Sequence, residues 1–225
     1  MTVEIDFIKS IPYFADLSLE ELEEVGRHVS EKNFERGEMI LYEEEVATSL
    51  YFVYSGAVKV FKTSTEGKEQ ILTIVHPGES FNEVPVFDDG VNPASAQAMS
   101  PVELYELRKD DLMELMEGNC VIAQNTMRML AARIRQLVLL VEDLSFRHVI
   151  SRVARILLQH SGDGAEQGDG PRLTQQDMAA MAGTAREVVG RSLKTLEDEG
   201  IIRLERNRIV ITDKDALNER VEATF

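Results

Sequence analysis

One run of apolar residues constrains the fold of this chain more than any other feature. Late in the first two thirds of the sequence, apolar positions recur at alternating spacings of three and four residues. The positions are Met127, Leu130, Ile134, Leu137, Val141 and Leu144. This repeat is typical of a coiled-coil seam, and about 26 residues of helix extend roughly 39 Å. The sequence therefore predicts one long helix, starting near Asn119, with an apolar stripe along its length.

Two arrangements would cover this stripe. The seam would face the same helix of a second copy, or it would pack on the rest of its own chain. In the second arrangement, Ala123, Ala131, Leu139 and Leu140 would supply the internal contact. We expect a parallel homodimer, because so regular a seam usually faces an identical helix.

Upstream of the long helix, short apolar segments separated by turn residues predict an antiparallel β domain. Short helices are expected within residues 6–28, strands from 33 to about 107, and a further short helix over 110–116. Glycines at 56, 67 and 78 recur every 11 residues, the spacing of many short strands in a roll or barrel.

Downstream lies a pattern of two helices joined by a glycine turn. Thr174 and Asp177 form a capping box for a helix over 175–181, and Gly183 lies in the turn. A second helix is expected over 185–199, ended by Gly200. Its buried face would be Val188, Val189, Leu193 and Leu196. Two short strands on either side of 205–207 complete a winged helix-turn-helix.

The exposed face of the second helix carries Arg186, Glu187 and Arg191. In a helix-turn-helix this helix enters the major groove, where Arg recognises guanine and Glu accepts a hydrogen bond from cytosine. A solvated helix face is the plain alternative, and a winged helix that contacts only proteins is another. The two arginines favour DNA binding, because a winged helix that contacts only proteins does not need two guanidinium groups directed at base edges.

The net charge is −16, which by itself argues against nucleic acid. The excess acid is uneven, however. Residues 145–225 hold 12 Lys and Arg against 13 Asp and Glu, a net of −1, so the first 144 residues carry the remaining −15. A local basic surface in the C-terminal third is therefore compatible with a phosphate backbone.

The sequence closely resembles the CRP/FNR family of bacterial transcription regulators. The resemblance is carried by Thr174-x-Gln176-x5-Ala182-Gly183-x2-Arg186-Glu187-x-Val189-Gly190-Arg191-x-Leu193-Lys194-x-Leu196-Glu197, with Glu66-Gly67-Lys68-Glu69 and Pro77-Gly78-Glu79-x-Phe81-x-Glu83 in the strand region. It implies an α+β chain with an N-terminal antiparallel β-roll of the cyclic nucleotide-binding type, a long dimerisation helix and a C-terminal winged helix-turn-helix. We expect these domains over 1–118, 119–145 and 146–225.

The resemblance also implies roles. Arg186, Glu187 and Arg191 would read bases, while Thr174 and Gln176 would hold phosphates. The homodimer would bind double-stranded DNA at an inverted repeat similar to TGTGA-N6-TCACA. It would mostly activate transcription by recruiting RNA polymerase, and would repress where its site overlaps a promoter.

The effector is not defined by the resemblance. Where cAMP-binding members carry an Arg-Ser pair and a Thr-Ser pair, this chain has Pro93, Ala94, Leu137 and Val138, which supply neither a cation nor a side-chain hydrogen bond. We therefore expect that cAMP does not bind to this protein. With Cys120 as the single cysteine, an iron–sulfur cluster is not expected either.

The expected effector pocket between roll and long helix is apolar. Its candidate residues are Phe81, Glu83, Val84, Leu137 and Val138. An apolar small molecule would suit it, and so would haem if His76 were the axial ligand. Regulation without any effector is the alternative.

An enzyme is the rival from another class. A cupin holds its metal with closely spaced His residues, but this strand region has only His76. No nucleophile–base pair or phosphate loop is present, so we predict no enzymatic activity and no metal site. The sequence also lacks a membrane-spanning run and a leader, which predicts a cytoplasmic protein.

Overall fold

A computed structural model describes residues 4–46, 48–146, 148–160, 173–205 and 208–222. The helices, besides a short 3-10 turn over Pro12–Phe14, are α1 (Ile5–Ser10), α2 (Leu19–His28), α3 (Glu83–Asp88), α4 (Lys109–Gly118), α5 (Cys120–Phe146), α6 (Val149–His160), α7 (Gln175–Ala182), α8 (Arg186–Asp198) and α9 (Lys214–Glu222). The strands are β1 (Val29–Phe34), β2 (Met39–Leu41), β3 (Ser49–Ser55), β4 (Val58–Thr63), β5 (Glu69–Val75), β6 (Ser80–Phe81), β7 (Ser95–Ala98), β8 (Val102–Arg108), β9 (Ile202–Glu205) and β10 (Arg208–Ile211).

The N-terminal strands form two four-stranded sheets, which confirms the predicted antiparallel roll. Their orders are β1-β8-β3-β6 and β2-β7-β4-β5. β8 pairs antiparallel with both β1 and β3. The sequence pattern missed α3, a six-residue helix inside the predicted strand region. It also placed the first strand too late, because β1 follows α2 directly at Val29.

Strands β3 and β8 contribute side chains to two separate apolar cores. Leu50 and Phe52 of β3 join a core with the N-terminal helices and Ile122 of α5. Val53 of the same strand joins Val58, Phe81 and other residues in the second core. The strict alternation expected of a half-exposed strand is therefore absent in β3, because both of its faces are covered.

Internal contacts divide the chain into two compact units. The first comprises 1–62 with 72–135, and the second comprises 63–71 with 136–225. The division falls within α5, a single continuous helix of 27 residues. The domain boundaries at 118 and 145 therefore remain a proposal. None of the described helices has an apolar stretch long enough to cross a bilayer.

The second unit contains the winged helix. Its core gathers buried side chains from α6, α7, α8 and α9 with Ile201 and Ile202 at the start of the wing. Helix α6 was not predicted from the sequence, and its Val153, Ala154 and Ile156 lie in this core. The glycine-rich linker expected at 161–170 lies outside the described residues.

Candidate nucleic-acid interface

Helix α7 begins with the predicted capping box. The Thr174 hydroxyl accepts a hydrogen bond from the Asp177 amide at 3.1 Å, and the Thr174 amide donates to the Asp177 carboxylate at 2.9 Å. The Thr174 hydroxyl also donates to that carboxylate at 2.7 Å. A phosphate contact from this hydroxyl would thus compete with the cap. Gln176, on the first turn, is exposed and free of that competition.

The turn between α7 and α8 depends on Gly183. Its backbone is left-handed, with φ 62° and ψ 40°, and its amide donates to the Ala179 carbonyl. The next amide, of Thr184, also donates to Ala179 at 3.0 Å. Glycine takes this left-handed conformation with less strain than a residue that has a Cβ, and the turn sets the angle at which α8 begins.

Helix α8 has one buried and one exposed face. Val189, Leu193 and Leu196 are at most 1% exposed and anchor the helix in the core. Ser192 is buried with them, whereas Val188, expected to be buried, is only partly covered. Arg186, Glu187 and Arg191 are all exposed on the outer surface. The three predicted base-reading side chains therefore share one accessible face.

The wing is tied directly to α8. The Glu197 carboxylate accepts a hydrogen bond from the Leu204 amide of β9 at 2.9 Å. Strands β9 and β10 pair antiparallel, from Ile202 opposite Ile211 to Glu205 opposite Arg208. The tip of the wing, at 206–207, lies outside the described residues. The tie fixes the wing relative to the exposed face of α8.

The long helix α5 presents the predicted seam to solvent. Met127, Ile134, Leu137 and Val141 are 61%, 63%, 54% and 63% exposed. Leu130 is partly covered, and the side chain of Leu144 lies outside the described residues. Leu139, assigned to an internal contact in the alternative arrangement, is 46% exposed, and Ala131 is exposed as well. An apolar stripe left open in the single chain favours a partner helix over internal packing.

A different face of α5 packs on the roll. Ile122 and Thr126 are buried, and the Asn125 amide donates to the Ala15 carbonyl at 2.9 Å. Arg133, two turns further along the same face, is 23% exposed, and its guanidinium donates to the Ser80 carbonyl. Arg133 was not among the residues predicted from the sequence, because one cation among apolar seam positions gives no signal of its own.

A polar cluster surrounds Glu83. Its carboxylate accepts hydrogen bonds from the Ser80 hydroxyl at 2.7 Å and the Tyr13 hydroxyl at 3.5 Å, and it lies 3.8 Å from Nε of Arg133. Burial raises the pKa of Tyr13 well above its usual value, and the Glu83 charge raises it further. The expectation of an apolar lining is therefore wrong at Glu83.

The other predicted pocket residues do not share one environment. Phe81 is a core residue, 3% exposed, and its ring stacks on Tyr51 with centroids 5.3 Å apart. Val84, the second residue of α3, is 49% exposed. Leu137 and Val138 are exposed on the part of α5 that belongs to the second unit.

The segment around Pro93 and Ala94, where the sequence predicts no phosphate contact, contains one buried polar side chain. Asn92 is buried, and its side-chain amide donates to the Tyr42 carbonyl at 2.9 Å. Pro93 is exposed and Ala94 is 7% exposed, so neither places a cation or a hydroxyl in this segment. These two side chains therefore offer a cyclic phosphate no charge-assisted hydrogen bond.

His76, the axial haem ligand considered in the sequence analysis, lies in the turn between β5 and β6. The residue is exposed, and its backbone amide donates to the Glu79 carboxylate at 2.8 Å. An exposed turn does not enclose a large apolar ring, so His76 does not fit haem. In the part of the chain that the structure describes, no three His, Cys, Asp or Glu side chains gather as a metal ion would need.

This roll, long helix and winged helix-turn-helix, with two arginines on the exposed face of the second helix, define a DNA-binding transcription regulator. Residues 31–119 match the family model of the cyclic nucleotide-binding domain, and residues 151–220 match that of the Crp-like helix-turn-helix domain. The chain belongs to the CRP/FNR family of transcription regulators and not to a family of enzymes.

Three relatives illustrate the similarity. The chain is 34% identical over 214 residues to the "Cyclic AMP receptor protein" of Thermus thermophilus, covering 94% of this chain and 97% of the relative. It is 33% identical to the "CRP-like cAMP-activated global transcriptional regulator" of Mycobacterium tuberculosis, covering 84% and 86%. The solved structure of FixK2 from Bradyrhizobium japonicum shares the fold, with a TM-score of 0.77, 23% identity and coverage of 88% and 99%.

Proposed function

We propose that this protein is a homodimeric regulator that binds an inverted repeat similar to TGTGA-N6-TCACA. The observation that carries the proposal is the exposed face of α8, where Arg186, Glu187 and Arg191 stand on a helix anchored by three buried apolar side chains. A planar guanidinium matches the two acceptors of guanine, and a carboxylate accepts from the amino group of cytosine. Gln176 and Thr174, at the start of α7, would hold phosphates and set the register.

Selection from a random duplex library at fixed salt tests this proposal. The wild type should enrich a palindrome whose halves lie about one helical turn apart, roughly 34–36 Å. Arg191→Ala should weaken operator binding by about tenfold or more per half-site and relax preference at one base pair. Enrichment of the same sequence with unchanged guanine preference would refute the role of Arg191.

Two further variants separate base reading from general attraction. Lys194 is a matched cation on α8 whose side chain is 72% exposed. Lys194→Ala should weaken all sequences about equally, because loss of an unspecific phosphate attraction carries no base preference. Gln176→Ala should do the same. A change of sequence preference in either variant would contradict the assignment.

The open stripe on α5 supports dimerisation. Half-sites related by two-fold symmetry require two recognition helices, and a stripe exposed over Met127 to Val141 offers a self-complementary surface for a second copy. Dimerisation through this stripe would place the symmetry axis along α5.

Activation through RNA polymerase is the proposed output. Relatives include a protein named as a cAMP-activated global transcriptional regulator, which supports an activating role. In transcription reconstituted with purified RNA polymerase, adding this protein should raise the transcript yield of a weak promoter that has the operator upstream. The same operator placed across the start site should lower it. No change in either arrangement would refute this output.

The effector is proposed to differ from cAMP, although two of the relatives described above are named for it. Pro93 and Ala94 supply no cation for a phosphate, and Glu83 already binds Ser80, Tyr13 and Arg133. A small apolar molecule is the proposed effector, with Leu137 and Val138 among its candidate contacts, and an effector-independent regulator is the alternative. Thermal melting with and without cAMP tests this expectation, because a ligand at tenfold excess over its Kd raises the free energy of unfolding by about 1.4 kcal/mol. An upward shift with cAMP would overturn this part of the proposal.

A further inference from the structure

Gly190 is a glycine in the middle of α8 that the fold of the second unit does not require. A glycine inside a helix is less favourable than alanine, because it loses more backbone entropy on folding, so its presence calls for a reason. Its backbone is ordinary helix, unlike that of Gly183 and Gly200, whose φ values are 62° and 75°. Backbone conformation therefore does not explain this glycine.

Packing within the chain does not explain it either. A Cβ built on Gly190 would meet a single neighbouring atom within 4 Å among the described residues, Oε1 of Gln175 at 3.8 Å. That distance is ordinary van der Waals contact, and Gln175 is exposed, so its side chain can move aside. An alanine at position 190 would fit.

The position of Gly190 on the helix points to an external reason. It follows Arg186 by four residues and Glu187 by three, and it precedes Lys194 by four. Residues three and four apart are neighbours on a helix surface, with Cβ atoms about 5–6 Å apart. The missing side chain therefore leaves partly exposed backbone among the side chains proposed to contact DNA.

We propose that Gly190 is a positioning residue that lets the backbone of α8 lie close against the DNA. Glycine is the residue that permits close approach of a backbone to a ligand. Without a methyl group at this point, the helix would sit deeper in the major groove, so that Arg186 and Glu187 reach base edges. The inference rests on the proposed function, since it assumes that this face binds duplex DNA.

Gly190→Ala tests the inference, and Gly118→Ala is its matched control. Gly118 ends α4 in the first unit, and a Cβ there would meet no described atom within 4 Å. Each variant would be assayed by thermal melting and by binding to the operator selected by the wild type, with an unrelated duplex at the same salt.

Gly190→Ala should melt at the wild-type temperature or up to about 4 °C higher, because alanine favours the helix. Its operator Kd should rise at least tenfold, which corresponds to about 1.4 kcal/mol, while its Kd for the unrelated duplex changes much less. Gly118→Ala should bind the operator with the wild-type Kd.

Each of the other outcomes has a definite meaning. Wild-type operator affinity in Gly190→Ala would overturn the inference and leave the proposed function standing. A lower melting temperature in that variant would show that the glycine serves internal packing, which also overturns the inference. Failure of the wild type to select any palindrome would instead refute the proposed function itself.

Discussion

Replacing Ile134 tests the α5 stripe most directly. The side chain is 63% exposed in the single chain, at the centre of a stripe whose other members Met127, Leu137 and Val141 are 61%, 54% and 63% exposed. Full burial of an aliphatic side chain is worth about 1.5–3 kcal/mol. Covering the exposed part of Ile134 would thus contribute about 1–2 kcal/mol from each protomer, and roughly twice that in a two-fold dimer.

Two substitutions of Ile134 should weaken the dimer to different extents. Ile134→Ala should lose about 2–4 kcal/mol of dimer stability, which raises the dissociation constant roughly 30- to 1,000-fold. Ile134→Asp should abolish the dimer, because it would bring two unpaired carboxylates together in an apolar seam. Sedimentation equilibrium over a range of protein concentrations measures both.

Leu19→Asp is the matched control. Leu19 is 65% exposed at the start of α2 and is not a member of the α5 stripe, and an acid is favourable in a first helical turn. It should leave the dimer and the circular dichroism spectrum unchanged. If folded Ile134→Asp sediments as a dimer with the wild-type dissociation constant, the stripe is not the interface and the reasoning fails.

Three more predictions concern stability. Thr174→Ala should cost about 1 kcal/mol and lower the melting temperature of the C-terminal domain by about 4 °C, because it removes the capping box of α7. Arg133→Met should lower the free energy of unfolding by about 1–3 kcal/mol in a urea titration, since it leaves the Glu83 carboxylate short of a partner, and Glu83→Gln in the same chain should recover part of the loss. Burial, together with the Glu106 carboxylate, raises the pKa of Tyr51 from 10.0 to about 12. The folded state therefore favours the neutral phenol, so the free energy of unfolding should fall as the pH rises from about 10 to about 12, and the fall should be smaller in Tyr51→Phe.

Periodicity predicted the elements whose burial is one-sided. The buried face of α8 and the capping box of α7 follow from local spacing, because each is decided within one or two helical turns. Strand β3 has no exposed face, because its two faces meet two different cores, and the pairing that encloses it comes from β8, about 50 residues away. Helix α3 was missed for a related reason, since six residues are too few to show a helical period.

The polar cluster at Glu83 shows what sequence spacing does not reveal. Its members come from the 3-10 turn, β6, α3 and α5, and lie as far as 120 residues apart along the chain. Each residue is unremarkable in its own segment, and only the fold brings them together. The candidate DNA-binding face, by contrast, lies on a single helix, so its residues could be named before the fold was known.

The two cores that share β3 and β8 have a consequence for how the roll comes apart. These strands form a common wall, with Leu50 and Leu107 on one side and Val53 and Leu104 on the other. Opening either core strips one side of that wall and removes support from the side chains across it. The roll should therefore unfold as a single unit, and native-state hydrogen exchange should show the amides of β3 and β8 exchanging together, at the rate set by global unfolding of the roll.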